Sequence, residues 1–116
     1  MSKLFTKRMC WTALETIIRN NDEFHNNGGS FRGVHRNADD AKLPDRGWMP
    51  QADYHRMQLV QDMHGISYVV YSYQTVIAYR DTRGVWHVPA VSYSKTTTSH
   101  QCSIRVATEH LSKVAA

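Results

Sequence analysis

Residues 66–88 read ISYVVYSYQTVIAYRDTRGVWHV and decide the fold. Residues 67–73 and 75–80 are rich in Val, Ile and Tyr, which suit a pleated, half-buried surface, so each stretch predicts a strand. The DTRG sequence that follows predicts a tight turn, because Gly84 supplies the positive φ that such turns often need. The chain then returns in a third predicted strand over residues 85–88. Together they indicate an antiparallel, hairpin-rich sheet.

Three helices are predicted outside this stretch. The first covers about residues 12–21, where Thr12 and Glu15 fit a capping box ahead of an apolar stripe at helical spacing. The second covers about residues 53–63, with Met and Val on its inner face. The third covers about residues 98–113 and opens with a second capping-box sequence, Thr-Ser-His-Gln.

The remaining segments complete an α+β architecture. Residues 30–34 and 91–94 are candidate short strands, and residues 37–50 are polar, contain Pro and Gly, and predict a surface loop. We expect residues 1–116 to form one small domain. It has a three- to four-stranded antiparallel sheet, with two or three helices packed mainly on one face. The strand-rich region spans about residues 66–97, and the other face of the sheet is expected to stay solvated.

Composition restricts the function classes. The chain has 116 residues, 41% hydrophobic and 21% charged, which is typical of a globular protein. Its net charge of +4 and pI near 9.3 favour anionic partners weakly, and no polybasic run occurs. The N-terminal residues lack an apolar signal-peptide core, and no apolar run approaches the ~18–20 residues that cross a bilayer. We therefore expect a soluble, cytoplasmic protein with no membrane contact.

The sequence offers little catalytic or metal-binding chemistry. Cys10 and Cys102 are far apart, and they are either free thiols or a single disulfide. The seven His residues form no metal-ligand motif, so no metal and no other cofactor is expected. Residues 92–95 match S-x-x-K literally, but the other elements of enzymes with that spacing are missing. We expect the protein not to be an enzyme.

The start of the third helix is one candidate site. Lys95, Thr96, Thr97 and His100 place charges and hydroxyl donors where a helix exposes unpaired N–H groups, an arrangement that can hold a phosphate. The alternative is that Thr98 and the residues around it only cap the helix and the other hydroxyls are solvated. The sequence leaves both interpretations open.

The aromatic strands are the second candidate. Tyr71 and Tyr73 share one face of a strand, and Arg80 and Arg83 lie nearby in the hairpin. Exposed aromatic rings beside cations would form a stacking platform for single-stranded nucleic acid. The alternative is that these rings pack in the core or pair across strands.

Two spaced motifs carry a family resemblance. The first is Tyr-Val-Val-Tyr-Ser-Tyr-x-Thr-x-Ile-Ala at residues 68–78, followed by Trp86, and the second is Tyr-Ser-x-Thr-Thr-x-x-His-Gln at residues 93–101. Over residues 66–101 the chain resembles a family of small uncharacterised proteins from bacteriophages, plasmids and actinobacterial genomes. Val76 departs from the pattern, since many members carry Pro there. The resemblance implies a phage or mobile-element product acting in the bacterial host cytoplasm, and it implies no activity.

Two functions of different class follow. The leading hypothesis is a non-enzymatic protein that binds nucleic acid through its basic, aromatic sheet face and the start of the third helix. The alternative is an effector that binds a host protein and inhibits or poisons the host, with Trp48, Met49, Met57 and Met63 as adaptable contacts. A third possibility is a self-assembling structural protein, and the oligomeric state is not predicted.

Overall fold

The computed structural model describes residues 3–4, 11–89 and 95–115. Within them the α+β class is confirmed. The strands and helices, labelled in chain order, are β1 (Lys3–Leu4), α1 (Trp11–Arg19), β2 (Phe24–His25), β3 (Phe31–His35), α2 (Gln51–Met63), β4 (Ile66–Ser72), β5 (Thr75–Asp81), β6 (Trp86–His87) and α3 (Lys95–Ala115). A short 3-10 turn, Asn27–Gly29, lies between β2 and β3.

The strands form one sheet in the order β1-β2-β3-β4-β5-β6. Neighbouring strands from β2 to β6 pair antiparallel, and β1 joins β2 in parallel. Four predicted strands are present as β3 to β6. The sheet has two more strands than these, because β1 and β2, each two residues long, add to the β3 edge. The predicted strand over residues 91–94 lies outside the described residues.

Two of the three helices pack on one face of the sheet, and the third, α2, packs on the face that was expected to stay solvated. Residues of α1 and α3 form one hydrophobic cluster with inward-facing side chains such as Phe31, Tyr68 and Val70. A separate cluster combines Met57 of α2 with the alternate positions of the same strands, including Val69. Since successive strand residues point to opposite faces, α2 packs opposite α1 and α3. The part of that face around Val69 and Tyr79 is therefore covered by α2 and is not solvated.

The helix boundaries explain why the predicted capping boxes fail. Helix α1 begins at Trp11, so Thr12 is already inside it, and Glu15 pairs with Arg19 at 2.8 Å. Helix α3 begins at Lys95, three residues before the predicted start. The amide nitrogen of the Gln101 side chain donates to the carbonyl of Pro89.

Close packing at the centre of β3 depends on a glycine. Gly33 lies beside Phe24 and Val70 in the sheet register. A Cβ at this position would lie 2.4 Å from Phe24 Cε1 and 2.7 Å from the hydroxyl oxygen of Tyr68. Both rings are fully buried, and the Tyr68 hydroxyl donates to the carbonyl of Asp22 at 2.7 Å. The absence of a side chain at residue 33 lets both rings pack against the backbone.

Candidate functional site

The β4–β5 hairpin divides the predicted site residues between its two ends. Tyr73 lies in the turn, next to the Ser72–Thr75 pair, whereas Arg80 and Arg83 lie at the open end, near the Ile66–Asp81 pair. Six residue steps separate these ends, roughly 20 Å along the strands. Tyr73 and the two arginines therefore lie at opposite ends of the hairpin.

At the open end, both predicted cationic contacts are engaged within the fold. Arg83 Nη2 lies 2.8 Å from Asp81 Oδ2, so its charge is balanced by a buried carboxylate. Arg80 donates to Asn21 Oδ1 at 2.6 Å and stacks over the rings of Tyr68 and Trp86. Burial lowers the pKa of Arg80. These contacts give both arginines a role in packing the hairpin, and their predicted contact with nucleic acid stays a prediction.

The aromatic side chains of the strands differ widely in exposure, and the two predicted stacking residues, Tyr71 and Tyr73, differ from each other. Tyr68, Tyr79 and Trp86 are buried, and burial raises the pKa of Tyr79 to about 12. Tyr71 is half-buried, packs beside the α2 cluster and has its pKa raised by burial. Tyr73 differs, since 55% of its surface is exposed.

His100 lies at the turn end but is held by packing. Its ring stacks on Phe31 with a centroid distance of 4.6 Å, and its Nδ1 lies 2.9 Å from Ser72 Oγ. The Tyr73 ring lies 6.3 Å away. The side chains of Lys95, Thr96 and Thr97, on the first turn of α3, lie outside the described part of the chain. The anion site at the helix start stays a prediction.

An open cleft of about 700 Å³ lies at the same turn end of the sheet. Three segments that are distant in sequence contribute to its walls. They are the turn before β3, the loop before α2, and the β4–β5 turn. The lining residues are Gly28, Gly29, Ser30, Arg32, Gly47, Trp48, Tyr73, Gln74 and Thr75.

Trp48 projects from a firmly placed backbone. Its backbone N–H donates to Thr75 Oγ1 at 3.0 Å, and the next residue, Met49, is buried in the α2 cluster. Gly47 has a φ of +59°, and a Cβ there would lie 2.6 Å from Thr75 Oγ1. The indole itself is 85% exposed. A large apolar side chain is thus exposed to solvent from a loop whose neighbouring residues, Gly47 and Met49, are both packed against the fold.

Tyr73 occupies the turn in an unfavourable conformation. Its φ is +57°, in the left-handed region that a bulky L-residue rarely adopts. Its N–H donates to the carbonyl of Ser30 at 2.6 Å, which ties the β4–β5 turn to the loop before β3. Strained residues of this kind cluster at binding sites, because the surrounding structure must hold them in place.

Arg32 supplies a positive charge to the cleft. Its guanidinium lies 4.1 Å from the centroid of the Tyr71 ring, and none of the ion pairs between described residues includes it. Asn26 shapes the adjoining turn: its Oδ1 accepts from the N–H of Phe31 and its Nδ2 donates to Ser30 Oγ, both at 2.9 Å. The cation is therefore held by stacking beside an ordered glycine turn.

Comparison with known families assigns the chain. The sequence matches the model of a family of unknown function, DUF8033, over residues 12–113. The protein belongs to this family. The prediction that it is an uncharacterised domain is thereby confirmed. No curated protein and no solved structure matched.

In this DUF8033 protein, sequence reasoning missed the cleft itself. Trp48 was predicted only as a contact with a host protein, and residues 30–34, which include Arg32, only as a short strand. The one available signal was Gly-Trp within a polar loop, where an indole has no periodic apolar partners.

Among the described residues, no group of three or more His, Cys, Asp or Glu could hold a metal ion. No helix within the described ranges is long and apolar enough to cross a membrane.

Proposed function

We propose that this protein binds nucleic acid at the cleft, without catalysing a reaction on it. The observation that carries the proposal is that two exposed aromatic side chains, Trp48 and Tyr73, share one cleft with the cation Arg32. Aromatic faces stack on bases whatever their sequence, and a guanidinium pairs with phosphate oxygens. The site thus moves from the sheet face to the turn end of the sheet.

The charge of the chain supports an anionic ligand. The net charge is +4, and Arg32 has a carboxylate partner in none of the described ion pairs. If the predicted helix-start contacts Lys95, Thr96 and Thr97 also operate, they would extend the interface past His100, whose ring lies near Tyr73. Attraction of this kind weakens with salt, because bound phosphates release counterions.

A binding role without chemistry also fits the Ser72–His100 pair. These two residues are hydrogen-bonded as a nucleophile and base would be, at 2.9 Å. Ser72, however, is buried, and the imidazole is stacked on Phe31. A nucleophile must reach its substrate, so we assign this pair to packing between β4 and α3.

The proposed setting is a phage or mobile-element product acting in the cytoplasm of a bacterial host. The two spaced Tyr-Ser motifs support it, through their resemblance to small phage and plasmid proteins. Gene setting of this kind is an associational argument, and it favours partners inside the host cell.

The test is a salt series of binding to DNA and RNA oligonucleotides by fluorescence anisotropy. We expect affinity to fall steeply with salt, and Trp48→Ala to weaken binding by about 1–3 kcal/mol, the usual value of one stacked base. Arg32→Gln should reduce the salt slope. Matched controls are Met63→Ala and Arg105→Gln, which remove an exposed apolar side chain and an exposed cation from helices outside the cleft lining.

The rival proposal is a host-protein-binding effector, inhibitory or toxic to the host. Met49 and Met57, expected to contact such a partner, are instead buried in the core, whereas Trp48 and Met63 are exposed. Binding of one host protein that resists nuclease treatment and is lost in Trp48→Ala, with no oligonucleotide binding at low salt, would favour this function over nucleic-acid binding.

A further inference from the structure

The exposure of both cleft aromatics restricts the form of nucleic acid that fits. Trp48 is 85% exposed and Tyr73 is 55% exposed, so each has ring surface free for contact with a ligand. In a duplex both faces of a base are covered by its stacked neighbours. A protein that stacks an aromatic ring on a base therefore needs a single strand or an extruded base.

The size of the cleft agrees with this restriction. Its volume of about 700 Å³ falls among sites for small ligands, which span roughly 300–1,000 Å³. Its lining residues lie in turns and loops and at the adjoining ends of β3 and β5. None of the lining residues that the structure describes belongs to α1, α2 or α3, whereas the proteins that read a DNA groove often insert a helix into it. A guest the size of a nucleotide fits such a cleft, whereas a duplex would meet only its rim.

The cleft lining also has features suited to the sugar-phosphate backbone. Arg32 brings its charge there, held over the Tyr71 ring. Gly28 and Gly29 have no side chain, and a Cβ added to either would meet nothing within 4 Å, so their backbone borders open space. Backbone without side chains lets a ligand approach closely, and a guanidinium can contact two phosphate oxygens at once.

We infer that the cleft holds an unpaired nucleotide of a single strand, with its base against Trp48 and Tyr73 and its phosphate toward Arg32. This inference rests on the proposed function, since it names the form of nucleic acid that the same site selects. Discrimination against duplex arises because paired bases cannot present a free face to the two rings.

The experiment compares three oligonucleotides with the full-length protein at one low salt concentration. They are a single strand, the same strand annealed to its complement, and a strand of equal length whose sugars and phosphates are kept but whose bases are removed. We expect the single strand to bind about ten-fold or more tightly than the other two, and Trp48→Ala to bring all three affinities close together. Met63→Ala should keep the preference.

The outcomes separate this inference from the proposed function. Equal binding of single strand and duplex would overturn the unpaired-nucleotide site and leave nucleic-acid binding standing. Equal binding of the strand without bases would also overturn it, because phosphate contacts would then suffice. If none of the three binds, both proposals fail. A single-strand preference that survives Trp48→Ala and Tyr73→Ala would place the selectivity outside the cleft and overturn the inference.

Discussion

His87 Nε2 lies 3.0 Å from Asp81 Oδ2, and the Asp81 side chain has no exposed surface. The same carboxylate accepts from the guanidinium of Arg83 and from the backbone N–H groups of Arg83 and Val85. Burial by itself would raise the pKa of Asp81, but these hydrogen bonds outweigh it and hold the pKa to about 2. One buried charge thus organises the turn between β5 and β6.

The depressed pKa of Asp81 predicts a specific loss of stability in acid. A carboxyl group in the unfolded chain titrates near 3.8. The stabilisation is therefore complete above about pH 4 and disappears as the pH falls toward 2. We expect Asp81→Asn to lower the free energy of unfolding at neutral pH by about 2 kcal/mol and to flatten this acid limb. Urea unfolding at a series of pH values measures both effects. A variant whose free energy of unfolding still falls between about pH 4 and pH 2 as in the original protein would contradict the assignment. The control is Asp62→Asn, at an exposed carboxylate.

The left-handed conformation of Tyr73 predicts an unusual order of stability. Tyr73→Ala and Tyr73→Gly both remove the ring, but only Gly removes the strain at φ +57°. We expect the Gly variant to be more stable than the Ala variant by about 1 kcal/mol in urea unfolding. Both variants should lose the same affinity for a single-stranded oligonucleotide. An Ala variant as stable as the Gly variant would show that the turn is not strained.

The close approach at Gly33 predicts that even a methyl group is destabilising there. Gly33→Ala forces a Cβ into the Phe24 ring and the Tyr68 hydroxyl, which its bond to Asp22 holds in place. We expect a loss of about 1–3 kcal/mol, the usual result of overpacking a core. Thermal unfolding checks it. The double variant with Phe24→Leu should recover part of the loss, and simple addition of the two single losses would argue against a clash.

The hydrogen bonds of Arg36 join the long loop to α2 and to the start of β4. Its Nη1 donates to Gln61 Oε1 at 2.5 Å and to the Ile66 carbonyl at 3.0 Å, while its Nη2 donates to the Lys42 carbonyl at 2.9 Å. Lysine lacks this planar fork, so we expect Arg36→Lys to cost about 1–3 kcal/mol. Faster proteolysis within residues 37–50 is the direct measurement. Exposed Arg46→Lys on the same loop should change little.

The local sequence pattern was enough to predict the central strands of the sheet and the helix α2. The Val, Ile and Tyr content of residues 67–80 predicted β4 and β5, and the stretch 53–63 predicted most of α2. The two-residue strands β1 and β2 are too short to show a period. Apolar spacing also cannot say which layer will cover a buried face, so the packing of α2 opposite the other helices went unpredicted.

The candidate site was harder to predict because it is not encoded in one stretch. Tyr71 and Tyr73 have the same sequence context, yet one is half-buried beneath Arg32 and the other is exposed in a turn. Arg83 was predicted as an electrostatic contact, and the sequence did not indicate that its guanidinium pairs with the buried carboxylate of Asp81, two residues away. Trp48 lies in the cleft because its backbone N–H donates to the hydroxyl of Thr75, a contact between distant residues that the local sequence does not indicate.

The cleft is built from three stretches around Gly29, Trp48 and Gln74, so no continuous peptide from this chain carries it. An occupant of the cleft would bind the native chain and ignore the unfolded one. By mass action it would raise the melting temperature with concentration, contributing about 2.7 kcal/mol at a hundred times its Kd. A thermal-shift screen of nucleotides and short oligonucleotides would therefore need no assay of function, because the melting temperature of the whole domain reports whether the cleft is occupied.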